Sequence, residues 1–160
     1  MFESVIELLA TTIEGMTIDD TRVEAKLRYD NRGEPIDGPR MEATDFRRFT
    51  FGWPRSFDPD WDLGDSPATP SHWRAEFPLA IYYPTGSADE NMEIVFSMAS
   101  DDATRLGNHL ATTAVTAFNA SPVTDFQLMG CQTTHDGIDR EGADGLVSSF
   151  TLRLRFHRAY

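Results

Sequence analysis

The stretch that decides the fold is LVSSFTLRLRFHR, residues 146–158 of a 160-residue chain. Its even positions from Leu146 to Phe156 read Leu, Ser, Phe, Leu, Leu, Phe, and its odd positions from Val147 to His157 read Val, Ser, Thr, Arg, Arg, His. Because successive side chains of a strand point to opposite faces, this alternation predicts a β-strand with one face in the core. The strand runs almost to the C-terminus, and we expect the domain to end on it without a tail.

Two helices are predicted from apolar residues that recur at intervals of three and four. The first runs from Phe2 to Glu14. The second begins after Ser100, a favourable N-cap, with Asp101 and Asp102 in the first turn, where the helix dipole favours negative charge. It ends near Phe118, and its apolar face comprises Ala103, Leu106, Leu110, Ala114 and Ala117.

Six strands are predicted, in the chain order helix, four strands, helix, two strands. The six segments are residues 23–29, 44–53, 77–83, 92–98, 123–133 and 146–158. The third and fourth strands are expected to form one hairpin, and the fifth and sixth another, closed by a Gly- and Asp-rich loop. The order predicts an α+β fold: a mainly antiparallel sheet of about six strands with two helices packed on it, in a single domain spanning residues 1–160.

Two long segments are predicted to be loops. Residues 31–40 hold two glycines and two prolines. Residues 54–73 are rich in proline, aspartate and aromatic side chains and show no periodicity. Structureless stretches of that length are uncommon in compact domains and usually have a function. Because Phe57, Trp61 and Trp73 need apolar surroundings, we expect this acidic loop to pack on the domain or on a neighbouring subunit.

Charge is the strongest global signal in the composition. Asp and Glu total 26 against 14 Lys and Arg, which gives a net charge of −12, and Lys26 is the single lysine. So negative a body disfavours nucleic-acid recognition through a basic surface. Such a composition is typical of proteins from salt-saturated cytoplasm, where about 1 M salt shortens the screening length to about 3 Å. A GC-rich genome and simple solubility are the alternatives.

Cysteine content and hydropathy predict a protein made in the cytoplasm. The single Cys131 excludes an internal disulfide framework and fits a reducing compartment. Met1 opens directly into an amphipathic segment, so no secretory signal is expected. No apolar run approaches the length of a membrane span.

An acidic run in the 54–73 loop is the one candidate metal site. Its alternate carboxylates, the type of ligand that Ca²⁺ prefers, are Asp58, Asp60, Asp62 and Asp65. An EF-hand loop requires glycine at its sixth position and glutamate at its twelfth, where this chain has Leu63 and Thr69. We therefore expect a solvated acidic loop and no bound metal.

No catalytic or cofactor-binding residue is assigned. Cys131 and His135 are four residues apart, which in a strand separates them by about 13 Å, so a buried structural cysteine is expected. The four histidines (His72, His109, His135 and His157) form no zinc pattern, and Glu76, Glu90 and Glu93 form no recognisable acid–base pair. No phosphate-binding glycine loop occurs. The sequence therefore predicts a protein that is not an enzyme.

Arginines and tryptophans are the candidate contact residues. Arg153, Arg155 and Arg158 on the last predicted strand either bind an acidic neighbouring subunit or pair with the chain's own carboxylates. The tryptophans either fill the core or anchor an interface, where Trp and Arg are enriched; they are Trp53, Trp61 and Trp73.

The layout resembles the tail terminator, or tail-completion, proteins of long-tailed bacterial and archaeal viruses. The likeness rests on the N-terminal helix FESVIELL, on FPLAIYYP at 77–84, on MASDDATRL at 98–106, and on the closing Leu-x-Leu-x-Phe strand. These are patterns and an element order, and the 54–73 loop has no counterpart in that family.

The resemblance implies a structural virion protein that is found in the tail or neck and in the host cytoplasm before assembly. It would form a homo-oligomeric ring, commonly a hexamer, at the head-proximal end of the tail tube. There it would contact the tail tube protein and the head–tail connector protein, without a cofactor, sequence-specific nucleic acid or membrane. The alternatives are another neck or minor tail subunit, a small acidic metal- or ligand-binding module, and an enzyme using Cys131.

Overall fold

The computed structural model describes residues 2–18, 26–30, 46–59, 72–84, 92–114, 123–140 and 143–158. It has the predicted α+β architecture, two helices with a six-stranded, mostly antiparallel sheet. The elements are α1 (Phe2–Glu14), β1 (Arg28–Tyr29), β2 (Arg48–Phe51), β3 (Ser56–Pro59), β4 (His72–Pro84), α2 (Met92–His109), β5 (Val123–Arg140) and β6 (Ala143–Arg158). A π-helical segment, Leu110–Ala114, continues α2.

The sheet is built around two long central strands. Its order is β1-β2-β4-β6-β5, and β3 also pairs with β4. β1 and β2 are parallel, and the other pairs are antiparallel. The ladder between β4 and β6 runs unbroken from His72 opposite His157 to Pro84 opposite Gly145. Within the described residues β5 pairs with β6 on one side, so it forms one edge of the sheet.

The alternation in the final strand is confirmed. Its even-numbered side chains from Leu146 to Phe156 are buried, whereas Arg153 is exposed on the opposite face. Val147 is the exception, since it is buried on the opposite, outer face. It lies across from Tyr82, which is also buried, so the outer face of the sheet is covered at this end.

Helix α1 has the predicted bounds and covers the core face. Its stripe of Val5, Leu9 and Ile13 belongs to the same buried cluster as Leu79 and Phe150 of the sheet. The helix ends at Gly15, whose N–H still donates to the carbonyl of Thr11 over 3.0 Å. Neither helix in the described part of the chain is long and apolar enough to cross a membrane.

The predicted strand at 92–98 is wrong, and so is its hairpin with 77–83. These residues form the first two turns of α2, which therefore begins at Met92 and not after Ser100. The alternating set Met92, Ile94 and Phe96 is exposed by 36%, 48% and 51%, respectively. Apolar residues are dense enough here to fit both a period of two and a helical period. The core selects the helical set, because the buried residues are Val95, Met98, Ala99, Asp102 and Leu106.

Parts of both predicted loops are strands. Ser56–Pro59 within the 54–73 loop form β3, which pairs with β4, while residues 60–71 and the 31–40 loop lie outside the described residues. The loop expected between the last two strands is wrong over most of its length. β5 and β6 stay paired as far as Arg140 opposite Ala143, because a strand at the edge of a sheet does not need an apolar sequence.

The first two predicted strands are shorter than expected. Arg28–Tyr29 and Arg48–Phe51 are the strand residues of segments 23–29 and 44–53. Residues 23–25 and 44–45 lie outside the described residues, as do 115–122, where the second helix was expected to end.

Candidate functional site

The acidic run is described only at its first carboxylate. Asp58 lies exposed on β3, opposite Arg74 of β4. The other three candidate ligands, Asp60, Asp62 and Asp65, are outside the described residues. Among the residues that are described, no group of three or more His, Cys, Asp or Glu side chains is placed to hold a metal ion.

Cys131 and His135 have separate partners on β5. The Cys131 sulfur lies 3.9 Å from the Thr133 hydroxyl, and partial burial raises the pKa of the thiol, an effect that the Thr133 hydrogen bond opposes. His135 Nδ1 lies 2.7 Å from the Ser148 hydroxyl. A raised thiol pKa disfavours the thiolate that a nucleophile requires. The arrangement is that of a structural cysteine.

The other predicted histidines and glutamates are dispersed. His109 Nε2 is 2.8 Å from the carbonyl of Thr12, which ties the end of α2 to α1. His72 and His157 face each other across β4 and β6. Glu93 lies exposed in the first turn of α2, while Glu90 is outside the described residues.

The arginine stripe is partly neutralised within the subunit. Arg153 Nε donates to Glu76 Oε1 over 3.0 Å, on the exposed outer face of the sheet. Arg155 is half-buried on the same face, and the side chain of Arg158 lies outside the described residues. Arg153 therefore follows the internal-pairing alternative.

The tryptophans divide between core and surface. Trp73 is half-buried and packs against the main cluster, whereas Trp53 is 91% exposed. Trp61 lies outside the described residues. Trp53 follows β2 directly, on the side of β4 that is away from β5. It is not core filler.

A buried ionic cluster joins α2 to the sheet, and the sequence reasoning missed it. Arg47 Nε donates to Asp102 Oδ2 over 2.9 Å, and its Nη2 donates to Oδ1 over 3.0 Å. The Tyr83 hydroxyl donates to Oδ2 over 3.0 Å. All three residues are fully buried. Burial, and secondarily the Asp102 carboxylate, raises the pKa of Tyr83 well above its ordinary value.

Arg47 also connects strands through its backbone. Its N–H donates to the carbonyl of Tyr82 over 2.8 Å, and its carbonyl accepts from Arg28 N–H over 3.0 Å. Its φ of 57° is left-handed, which costs a non-glycine residue about 1–2 kcal/mol. The bidentate ion pair offsets that cost and fixes β1, β2, β4 and α2 relative to one another. The cluster is structural, because each side chain is enclosed.

A signal for this cluster is present in the sequence. Position 102 falls on the helical stripe of Val95, Ala99 and Leu106, the face that enters the core. A carboxylate at such a position needs a buried cationic or hydrogen-bonding partner. Placing the helix start at Ser100 put Asp102 in an exposed first turn and concealed this requirement.

The remaining candidate is a surface at the edge of the sheet. We define the edge surface as residues 127–137 of β5 together with Phe96 of α2. The Phe96 ring lies 5.4 Å from the His135 ring, edge to face, so this half-exposed aromatic side chain adjoins the edge strand. Met129, 54% exposed, lies where the register between β5 and β6 shifts.

The edge surface has the chemistry of a protein-binding site. An edge strand presents backbone N–H and C=O groups that can pair with a strand of another chain, and exposed apolar side chains beside it add buried area. Pairing between Gly130 and Arg140 shows no further register shift, so this part of the edge is regular. A comparison of the chain with protein-family models and with curated proteins found no match.

Proposed function

We propose that this chain is a structural virion subunit, a tail terminator or tail-completion protein. It forms a ring at the head-proximal end of the tail tube, where it binds the tube protein and the head–tail connector. In this role the subunit catalyses no reaction and needs no cofactor. The observation that carries the proposal is the edge surface, in which a regular edge strand adjoins the exposed Phe96.

Ring formation requires two different surfaces on each subunit. A head-to-tail contact repeats around a closed ring, whereas a contact between two identical patches ends at a dimer. The edge surface lies at the β5 end of the sheet, and Trp53 lies on the other side of β4, beside β2. The exposed apolar residues Phe96 and Trp53 therefore occupy opposite sides of the sheet, as a head-to-tail ring requires.

The layout of the chain gives a second line of support. The order helix, four strands, helix, two strands occurs in the structure, and the closing strand is the centre of the sheet. This is the order on which the resemblance to tail terminators rests. The acidic body also suits a channel through which DNA passes without adhering, because like charges repel.

The experiment is native mass spectrometry and negative-stain imaging of the purified protein in molar salt, with and without the tube protein. We expect closed rings or a stable complex with the tube protein. Phe96→Glu should weaken self-association at least about tenfold, or about 1.4 kcal/mol. Ser97→Glu is the matched control, since Ser97 is the exposed neighbour on the same helix.

A mixing experiment tests the head-to-tail arrangement. Phe96→Glu and Trp53→Glu each remove one side of the contact, so neither variant should form rings alone. An equimolar mixture retains one intact contact, Phe96 of one variant against Trp53 of the other, and should give 1:1 heterodimers and no rings. Monomers alone from the unmodified protein, with and without tube protein, would contradict the proposal.

Two alternatives predict different results. A head–tail connector or minor tail subunit would bind the portal side in preference to the tube end, and the position of the gene between those for portal and tube would support it. An acidic metal-binding module would show heat and a rise in melting temperature on titration with Ca²⁺.

A further inference from the structure

Two histidines lie directly opposite each other at one end of the central ladder. His72 of β4 pairs in register with His157 of β6. Directly opposed residues of antiparallel strands share one face, and here it is the outer face, which also carries Arg74 and Arg155 in the next row. The two imidazole rings are 5.3 Å apart between centroids, with their planes at 66°. Both side chains are partly accessible to solvent.

The ring separation matches that of two imidazoles on one metal ion. Adding roughly 1.2 Å from ring nitrogen to centroid to the Zn–N bond gives about 3.2 Å from centroid to metal. At a tetrahedral angle the two centroids are then about 5.2 Å apart. The backbone pairing therefore already sets the required distance, and rotation about the side-chain torsions is enough to aim one nitrogen of each ring at a shared ion.

Each imidazole has two nitrogens, and a metal ion needs one. The second nitrogen keeps a hydrogen-bond partner, which fixes the orientation of the ring and raises its basicity as a ligand. The surrounding charges act in both directions. The guanidinium groups of Arg74 and Arg155 repel a cation, whereas Asp58, opposite Arg74 on β3, and the net charge of −12 attract it.

We propose that His72 and His157 form a two-histidine site for a divalent transition metal ion such as Cu²⁺, Zn²⁺ or Ni²⁺, with water at the other positions. Imidazole is a preferred ligand of these ions, and Cu²⁺ binds most tightly among them. The bound ion joins β4 to β6 at the end of their ladder. The site does not depend on the proposed function, and it lies outside the edge surface.

Cu²⁺ titration followed by electron paramagnetic resonance tests the site. The unmodified protein should bind one Cu²⁺ tightly, with a spectrum showing two equivalent imidazole nitrogens. His72→Asn and His157→Asn should each lower the affinity at least about tenfold and leave one nitrogen, because two ligands on one scaffold act at high effective concentration. His135→Asn is the control that removes a histidine elsewhere and should leave binding unchanged.

A second variant separates metal binding from packing. His72→Phe/His157→Phe keeps a cross-strand aromatic pair and removes both ligands, so the fold should persist while tight Cu²⁺ binding and the rise in melting temperature with Zn²⁺ are lost. The site is disproved if this double variant binds Cu²⁺ as tightly as the unmodified protein. A spectrum with a single imidazole would equally disprove it.

Discussion

The two ends of α2 interact with the sheet in opposite ways. Near its centre the helix inserts Asp102 into a closed cluster with Arg47 and Tyr83, where hydrogen bonds satisfy the carboxylate. Near its start it holds Phe96 half-exposed beside the edge strand β5. The first contact fixes the helix on the sheet, and the second leaves an apolar surface for another molecule. One helix thus serves both stability and the proposed association.

The comparison also separates polar burial from apolar exposure. Charged groups are normally outside and large apolar groups inside, so a buried Arg–Asp pair and an exposed Phe or Trp are the informative exceptions. The cluster is satisfied within the subunit, whereas the exposure of Phe96 and Trp53 is explained by contact with a second chain. Substitutions in the two regions should therefore affect different measurements.

The largest effect is expected from Asp102→Ala. Removing the carboxylate leaves the Arg47 guanidinium buried without its charge partner, which should lower the free energy of unfolding by about 3–5 kcal/mol. Asp101→Ala removes the adjacent, exposed carboxylate and should change it by no more than about 0.5 kcal/mol. Urea denaturation in a fixed salt concentration measures both. Similar values for the two variants would show that the cluster does not hold α2 in place.

A smaller effect is expected from Tyr83→Phe. Loss of the hydroxyl that donates to Asp102 should cost about 1.5–3 kcal/mol at pH 8. Because the folded pKa of Tyr83 is raised above 10.0, its contribution is present below about pH 10 and is lost as the pH rises toward the folded pKa. The stability difference between native and variant protein should therefore shrink between pH 8 and pH 11.

Tyr29→Phe is the control for this pH dependence. The pKa of Tyr29 is also raised, first by partial burial, but Tyr29 is outside the cluster. This variant should retain the alkaline loss that Tyr83 causes. A difference between native and Tyr83→Phe protein that stays constant up to pH 11 would contradict the account of the cluster.

The smallest effect is expected from Cys131→Ala. The thiol is half-buried on β5 and packs against the edge of the core, so the free energy of unfolding should fall by about 1 kcal/mol or less. Ring formation should be unchanged, because Cys131 points to the core side of the edge strand. Thermal denaturation and native mass spectrometry measure the two quantities. A variant that folds normally but does not assemble would indicate that the thiol takes part in association.

The sequence predicted the elements that have one clear period. The alternation of Leu152, Arg153 and Leu154 defined β6, and the spacing of Val5, Leu9 and Ile13 defined α1 with its correct bounds. The α+β class and the count of six strands followed, although β3 takes the place of the strand expected at 92–98. That strand was wrong because a short, densely apolar run fits two periods, and tertiary packing decides between them.

The site was less predictable because it depends on contacts between distant residues. Arg47 and Asp102 are 55 positions apart, and nothing local to Arg47 indicates a left-handed, buried arginine. His72 and His157 meet only through the register of β4 with β6. Phe96 looked like a core residue until the helical period of α2 turned it outward.

Residue-resolved hydrogen exchange on assembled protein and on the Phe96→Glu monomer tests the central claim most directly. Amides of residues 127–137 that point away from β6 should exchange at least about tenfold more slowly in the assembly, whereas those of β4 should be equally protected in both. Equal exchange of residues 127–137 in the two samples would show that copies of this chain do not associate through the edge strand.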